Sequence, residues 1–161
     1  MKLTLYILGL IVTTCLIAQS NQDTKAIMEP VRQLFVAMEM NDGELAASLF
    51  VDNASLQTVS KNAKGEATLS TIPASKLVEA FAKPKEKTYS EPIWNEQIHQ
   101  DGDYAVVWVD YAFYLGDEFS HCGVDVFQLI QTEGGWKIFG LTDTRRKENC
   151  EVPAEIQEKY K

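Results

Sequence analysis

The sequence predicts an α+β fold: a curved, mainly antiparallel sheet carrying its helices on one face. Three observations lead there. Apolar residues in the first third of the chain recur at helical spacing. The C-terminal half alternates long β-branched and aromatic runs with Gly- and Asp-rich turns. No internal repeat or linker divides the 161 residues, a length suited to one core. Helices first and consecutive strands after them is the α+β layer order.

The elements follow in chain order. Met1-Lys2 and the apolar run Leu3 to Ala18 have the layout of a secretory signal peptide. The run is shorter than the roughly 20 residues of a membrane-spanning helix, so an anchor is the weaker reading. Cleavage is expected after Ala18 or after Ser20. Cys15 is a candidate for lipidation, although Thr14 before it is bulkier than the residues such processing prefers. The protein is therefore expected to be exported, periplasmic or secreted, with residues 1–20 removed. Cys122 and Cys150 then remain as a pair in an oxidising compartment, which makes them a disulfide candidate.

Asn21 to Asn41 places Ile27, Val31, Leu34, Phe35 and Met38 on one helical face. Pro30 lies inside this run, so the helix is expected to start near it or to kink there. Asn41-Asp42-Gly43 is a stop signal. Glu44 to Phe50 reads as a second, short helix. Ala54–Val59 and Ala67–Thr71 read as strands joined across the polar turn Lys61 to Gly65. Pro73 opens a third helix through Phe81, with Leu77, Val78 and Phe81 inward. The strands of the meander are expected at Pro92–Gln100, Tyr104–Leu115, His121–Thr132 and Trp136–Arg145. Residues 147–161 form a polar tail with a helical turn near Glu155–Tyr160, which leaves 21–146 as the domain.

Composition narrows function. Fifteen Lys+Arg against 23 Asp+Glu give a net charge of −8. Nucleic-acid binding needs clustered cations, so no such partner is expected. Anionic membranes are disfavoured for the same reason. The only histidines are His99 and His121, and neither C-x-x-C nor H-E-x-x-H occurs, so no metal is expected. No G-x-S-x-G or phosphate-cradling glycine loop is present, and no cofactor is expected.

Asp103-Tyr104-Ala105-Val106-Val107, His121-Cys122-Gly123-Val124-Asp125 and Gly135-Trp136-Lys137-Ile138 resemble the nuclear transport factor 2-like superfamily. Asp143-Thr144-Arg145-Arg146 is similar to the tail of its small exported bacterial members. The order of three helices and six strands matches over residues 22–146. The resemblance implies a cone: a strongly curved, mainly antiparallel six-strand sheet, three N-terminal-half helices on its concave face, and a central pocket. It also implies a homodimer across the sheet. The superfamily holds isomerases, dehydratases and cyclases beside members that only bind or scaffold, so the likeness carries fold and not activity.

Strand alternation sorts the candidate site residues. Ala105, Val107, Val109, Tyr111, Phe113 and Leu115 form the more apolar face of their strand and are expected inward. Tyr111 then presents a phenol to the cone or serves as a core aromatic. His121 and Asp125 share a face about 13 Å apart along their strand. Both faces of that strand are mixed, so its inward side stays open. A carboxylate and an imidazole in a dry pocket suit acid–base chemistry. Asp143 and Arg145 share a face with Lys137, Phe139 and Leu141. They read as a structural ion pair or as a guanidinium offered to an anionic ligand.

The sequence thus points to an exported domain that binds a small apolar or anionic ligand or serves as an accessory. The alternative is a cofactor-independent isomerase, dehydratase or cyclase-type enzyme. His121 or Asp125 would then be the base, and Tyr111 or Arg145 would polarise a carbonyl. A third reading is a structural domain acting through dimerisation.

Overall fold

The structure is a computed structural model and describes residues 23–160. The expected signal peptide, Cys15 and the expected cleavage positions lie outside the described residues. Helix α1 spans residues 23–40 and buries Ile27, Met28, Val31, Leu34 and Met38 along one stripe. The helix begins seven residues before Pro30 and runs through it. Pro30 cannot donate to the carbonyl of Ala26, but Ala26 is exposed and water can satisfy that oxygen. Asn41 adopts a left-handed conformation (φ 56°) and ends the helix.

Asp42 then caps α2 (Gly43–Leu49) by accepting a 2.8 Å bond from the Leu45 N–H. A Cβ on Gly43 would lie 2.6 Å from the Ala82 side chain, so glycine permits the close approach of α2 to the end of α3 (Ala74–Phe81). Phe81 is buried, and Leu77 and Val78 pack against the core as the helical spacing predicts.

The remaining elements are β1 (Phe50–Lys61), β2 (Ala67–Pro73), β3 (Tyr89–Ser90), β4 (Ile93–Asp101), β5 (Tyr104–Leu115), β6 (Glu118–Thr132), β7 (Gly135–Thr144) and α4 (Ala154–Lys159). The sheet order is β2-β1-β7-β6-β5, with β3 and β4 following one another along the free edge of β5. All pairings are antiparallel except β1 with β7. A two-residue strand, β3, thus joins the six expected strands. Pro92, with no N–H for the ladder, marks the break between β3 and β4.

Bulges bend the sheet around α1. One sets Ser120 as the extra residue of β6, so Phe113 pairs with His121 but Tyr114 with Phe119. A second sets Phe139 as the extra residue of β7, so Leu129 pairs with Ile138 and Gln128 with Gly140. This bulge overturns the strict alternation expected for β7. Ile138 and Leu141 both face the core, and Phe139 lies against Tyr104 on the convex side. The core joins α1 to Ala105, Val107, Val109, Phe127 and Leu129. Phe35 meets Phe127 edge-on at 6.0 Å.

The tail folds back over the convex side. Cys122 and Cys150 form the expected disulfide. Tyr160 stacks on Tyr114 at 4.0 Å and its hydroxyl lies 2.5 Å from that of Ser90. Among the described residues, no helix is long and apolar enough to cross a membrane.

Candidate functional site

A cavity of about 90 Å³ lies between α1, α3 and the concave face of the sheet. Leu34, Phe35, Met38, Leu56, Leu77, Phe81 and Leu141 supply its apolar wall. Its polar side gathers Tyr111, His121, Asp125, Asp143 and Arg145, all five residues singled out from sequence. The bulge at Phe139 keeps Asp143 in register with Asp125 on the inner face. Pairing of Phe113 with His121 and of Val109 with Asp125 brings the inward face of β6 into line with that of β5.

A sixth polar residue, Glu91, completes the site and was not singled out. It sits at the break between β3 and β4, and Pro92 after it accepts through its carbonyl from Ala112 N–H at 3.2 Å. That break turns the Glu91 carboxyl inward, where it hydrogen-bonds the carboxyl of Asp125. Burial raises Glu91 to about 7; the bond from Asp125 pulls it down and the charge of Asp143 pushes it up. Asp125 is 3% exposed. Burial first, then the charges of Glu91 and Asp143, lift it well above the carboxylate range. The two carboxyls are coupled, and burial favours keeping a proton on the pair.

His121 is held neutral. Burial, and then the Arg145 guanidinium, lower it to about 4. Its ring packs 5.0 Å from Phe113 and 5.8 Å from Tyr111, and Nδ1 lies 3.0 Å from the Ser120 hydroxyl. Arg145 donates from Nε to Asp143 at 2.7 Å, and Thr58 donates to the other Asp143 oxygen at 2.5 Å. The Asp143–Arg145 pair is thus an ion pair anchored on β1 through Thr58.

Tyr111 has a different role from polarising a ligand carbonyl. Its hydroxyl donates to the Thr144 carbonyl at 2.8 Å, and burial together with the surrounding carboxylates raises it further from ionisation. Gly123 makes this reach possible. A Cβ there would lie 1.8 Å from the Thr144 carbonyl oxygen and 2.7 Å from the Tyr111 ring. The Thr144 hydroxyl accepts from Val124 N–H at 3.1 Å. No cluster of His, Cys, Asp and Glu among the described residues has the arrangement of a metal site.

Residues 22–140 match the family described as "Putative lumazine-binding". The chain belongs to this family. It is a member of the nuclear transport factor 2-like superfamily, as the resemblance implies. No curated protein matches it. Solved structures share its fold. A nuclear transport factor 2-like protein of Novosphingobium aromaticivorans has 11% identity and a TM-score of 0.67, over 91% of this chain and 94% of that one. A "putative dehydratase" of Streptomyces avermitilis has 16% identity and a TM-score of 0.62, over 79% and 98%. The beta subunit of a "putative aromatic-ring-hydroxylating dioxygenase" of Novosphingobium aromaticivorans has 17% identity and a TM-score of 0.64, over 81% and 92%. At these identities the likeness is one of fold.

Proposed function

We propose that this lumazine-binding-like chain binds a small, largely apolar ligand in the cone, with a polar group of the ligand set against Glu91 and Asp125. The observation that carries the reading is the carboxyl pair itself. A buried acid beside a half-buried one is costly to a fold unless the pair keeps a proton. Here that arrangement faces an apolar wall of seven residues across the cavity, and an apolar wall with a few convergent polar groups is the composition of a small-molecule site. The pair offers an acceptor at Glu91 and a neutral donor at Asp125, so it suits a ligand with a hydroxyl, N–H or carbonyl at its narrow end. Membership of a family described as lumazine-binding supports a small-ligand role. The cavity has about the volume of three waters, room for one ring once the flexible Met38 side chain yields.

Phenol is a suitable probe. Titration followed by NMR is expected to shift the amides around Asp125 and Leu141, and Leu141→Trp, which fills the cavity, is expected to abolish the shifts. Unchanged phenol binding in Leu141→Trp sinks the reading.

The same proton-sharing pair favours a second reading, cofactor-independent acid–base catalysis. Glu91, at about 7, is poised to take a proton and Asp125 to return one. Solvent deuterium entering the α-position of a bound cyclic ketone, and lost in Glu91→Gln, is the expected signature. Export and homodimer formation belong to the proposal as well. The Cys122–Cys150 bond supports an oxidising compartment.

A further inference from the structure

Outside the cavity mouth lies an open cleft of about 920 Å³. The end of β1, the start of β2 and the segment after β7 form it. Its chemistry departs from that of the chain as a whole. In a protein of net charge −8, Lys61, Arg145, Arg146 and Lys147 line it with one carboxylate, Glu148, and of these cations only Arg145 is already paired among the described residues, with Asp143. Lys61 and Lys147 are exposed and have no ion-pair partner among the described residues. Such a local reversal of sign attracts anions in spite of the net charge.

Two further observations make the cleft more than a group of surface cations. It adjoins the cavity, because His121 and Arg145 line both. Its cationic wall is also held in place at both ends by one residue. Cys122 exchanges both backbone hydrogen bonds with Arg146 at 2.9 Å, and the same Cys122 carries the disulfide to Cys150. Arg146 Nε donates to the Asn149 carbonyl at 3.3 Å, closing the short loop on itself. These bonds order the backbone that carries Arg145 to Lys147 in folding rather than in binding.

We infer that this cleft is an oxyanion-binding subsite for the charged end of an elongated ligand whose narrow, polar end sits in the cavity. The inference rests on the cavity reading and adds the ligand's class: a small amphiphile ending in a carboxylate, sulfonate or phosphate. The volumes fit that division. The cavity holds a single ring at most, and the cleft is about ten times larger. A guanidinium at the junction and lysines beyond it can follow the oxyanion without entering the apolar part.

The test compares phenol with 3-(4-hydroxyphenyl)propionate, which adds only an anionic arm, and with pyrophosphate, which has no ring. The propionate is expected to bind about tenfold tighter than phenol at 50 mM salt and to lose most of that advantage at 500 mM. Lys61→Glu/Lys147→Glu is expected to remove the advantage and to leave phenol binding as it was. Pyrophosphate is expected to shift the amides of Thr144–Lys147 weakly and those around Leu141 not at all. Equal binding of phenol and the propionate overturns the subsite, as does an advantage that survives the double variant. Pyrophosphate binding as tightly as the propionate would make the cleft a free-anion site and overturn its coupling to the cavity. Failure of the cavity reading is distinct: phenol then fails to bind or ignores Leu141→Trp, while the pyrophosphate shifts still judge the cleft.

Discussion

Asp125 makes the fold sensitive to pH through the proton it keeps. The unfolded chain releases that proton above the ordinary carboxyl range, whereas the native chain holds it. The contribution of Asp125 is therefore full at low pH and is lost as pH rises through its folded value; Glu91 follows the same course around 7. His121 runs the other way. Its contribution is present above its ordinary 6.5 and is lost as pH falls toward about 4. Between about pH 6.5 and 8 His121 is settled, so the carboxyl pair dominates and stability declines. Asp125→Asn keeps a donor for Glu91 without a charge to bury. It is expected to raise Tm by about 3–8 °C at pH 8 and to change it little at pH 5. Calorimetry at the two pH values measures this, and an equal gain at both would refute proton sharing. Asp125 was legible as a candidate from its strand position, whereas Glu91 was not. Ser90-Glu91-Pro92 reads as a strand boundary, and its partner lies 34 positions away across β5, beyond any local pattern.

Elements show where periodicity suffices and where it fails. In β5 the alternation was read correctly, because its twelve residues pair with β6 without interruption up to Phe113. In β7 a single bulge at Phe139 exchanges the faces of everything before it, and alternation carries no sign of an extra residue. Asp143 and Arg145 keep their shared face because both follow the bulge. The continuous α1 was half legible: its stripe was plain, but the cost of Pro30 is borne by burial that the sequence does not display. The disulfide was legible from parity and compartment, and the structure adds what it holds. It closes a separation of 28 residues and fixes the wall of the cationic cleft. Cys150→Ser is expected to cost about 3.6 kcal/mol by the loop-entropy relation. It is also expected to raise the dissociation constant for 3-(4-hydroxyphenyl)propionate severalfold, with that for phenol unchanged. Urea titration and ligand titration read the two effects separately. A loss of stability with no change in propionate affinity would mean that the loop keeps its shape without the bond.

At the scale of the whole molecule the two faces of the sheet have different occupants. The concave face is covered by α1 and α3, and part of the convex face by the disulfide-tethered tail. The rest of the convex face is open and carries a cluster of exposed apolar side chains. Tyr104, Trp108 and Ile130 are 44%, 42% and 41% exposed, and Tyr104 sits directly opposite Ile130 in the ladder with Phe139 beside it. Several large apolar side chains on one face are unusual for a monomer and are the composition of an interface core. A second copy of the chain is the partner proposed. Two copies joined across this face would leave each cavity mouth free, since Lys61 ends β1 and Arg145 follows the end of β7. Sedimentation velocity at micromolar concentration is expected to show a dimer. Trp108→Glu places two charges in the interface and is expected to give monomers with an unchanged circular dichroism spectrum. It should also leave phenol affinity as it is, because Trp108 points away from the cavity. A wild-type chain that sediments as a monomer up to 100 µM would overturn the dimer, and the exposed aromatic face would then need another partner.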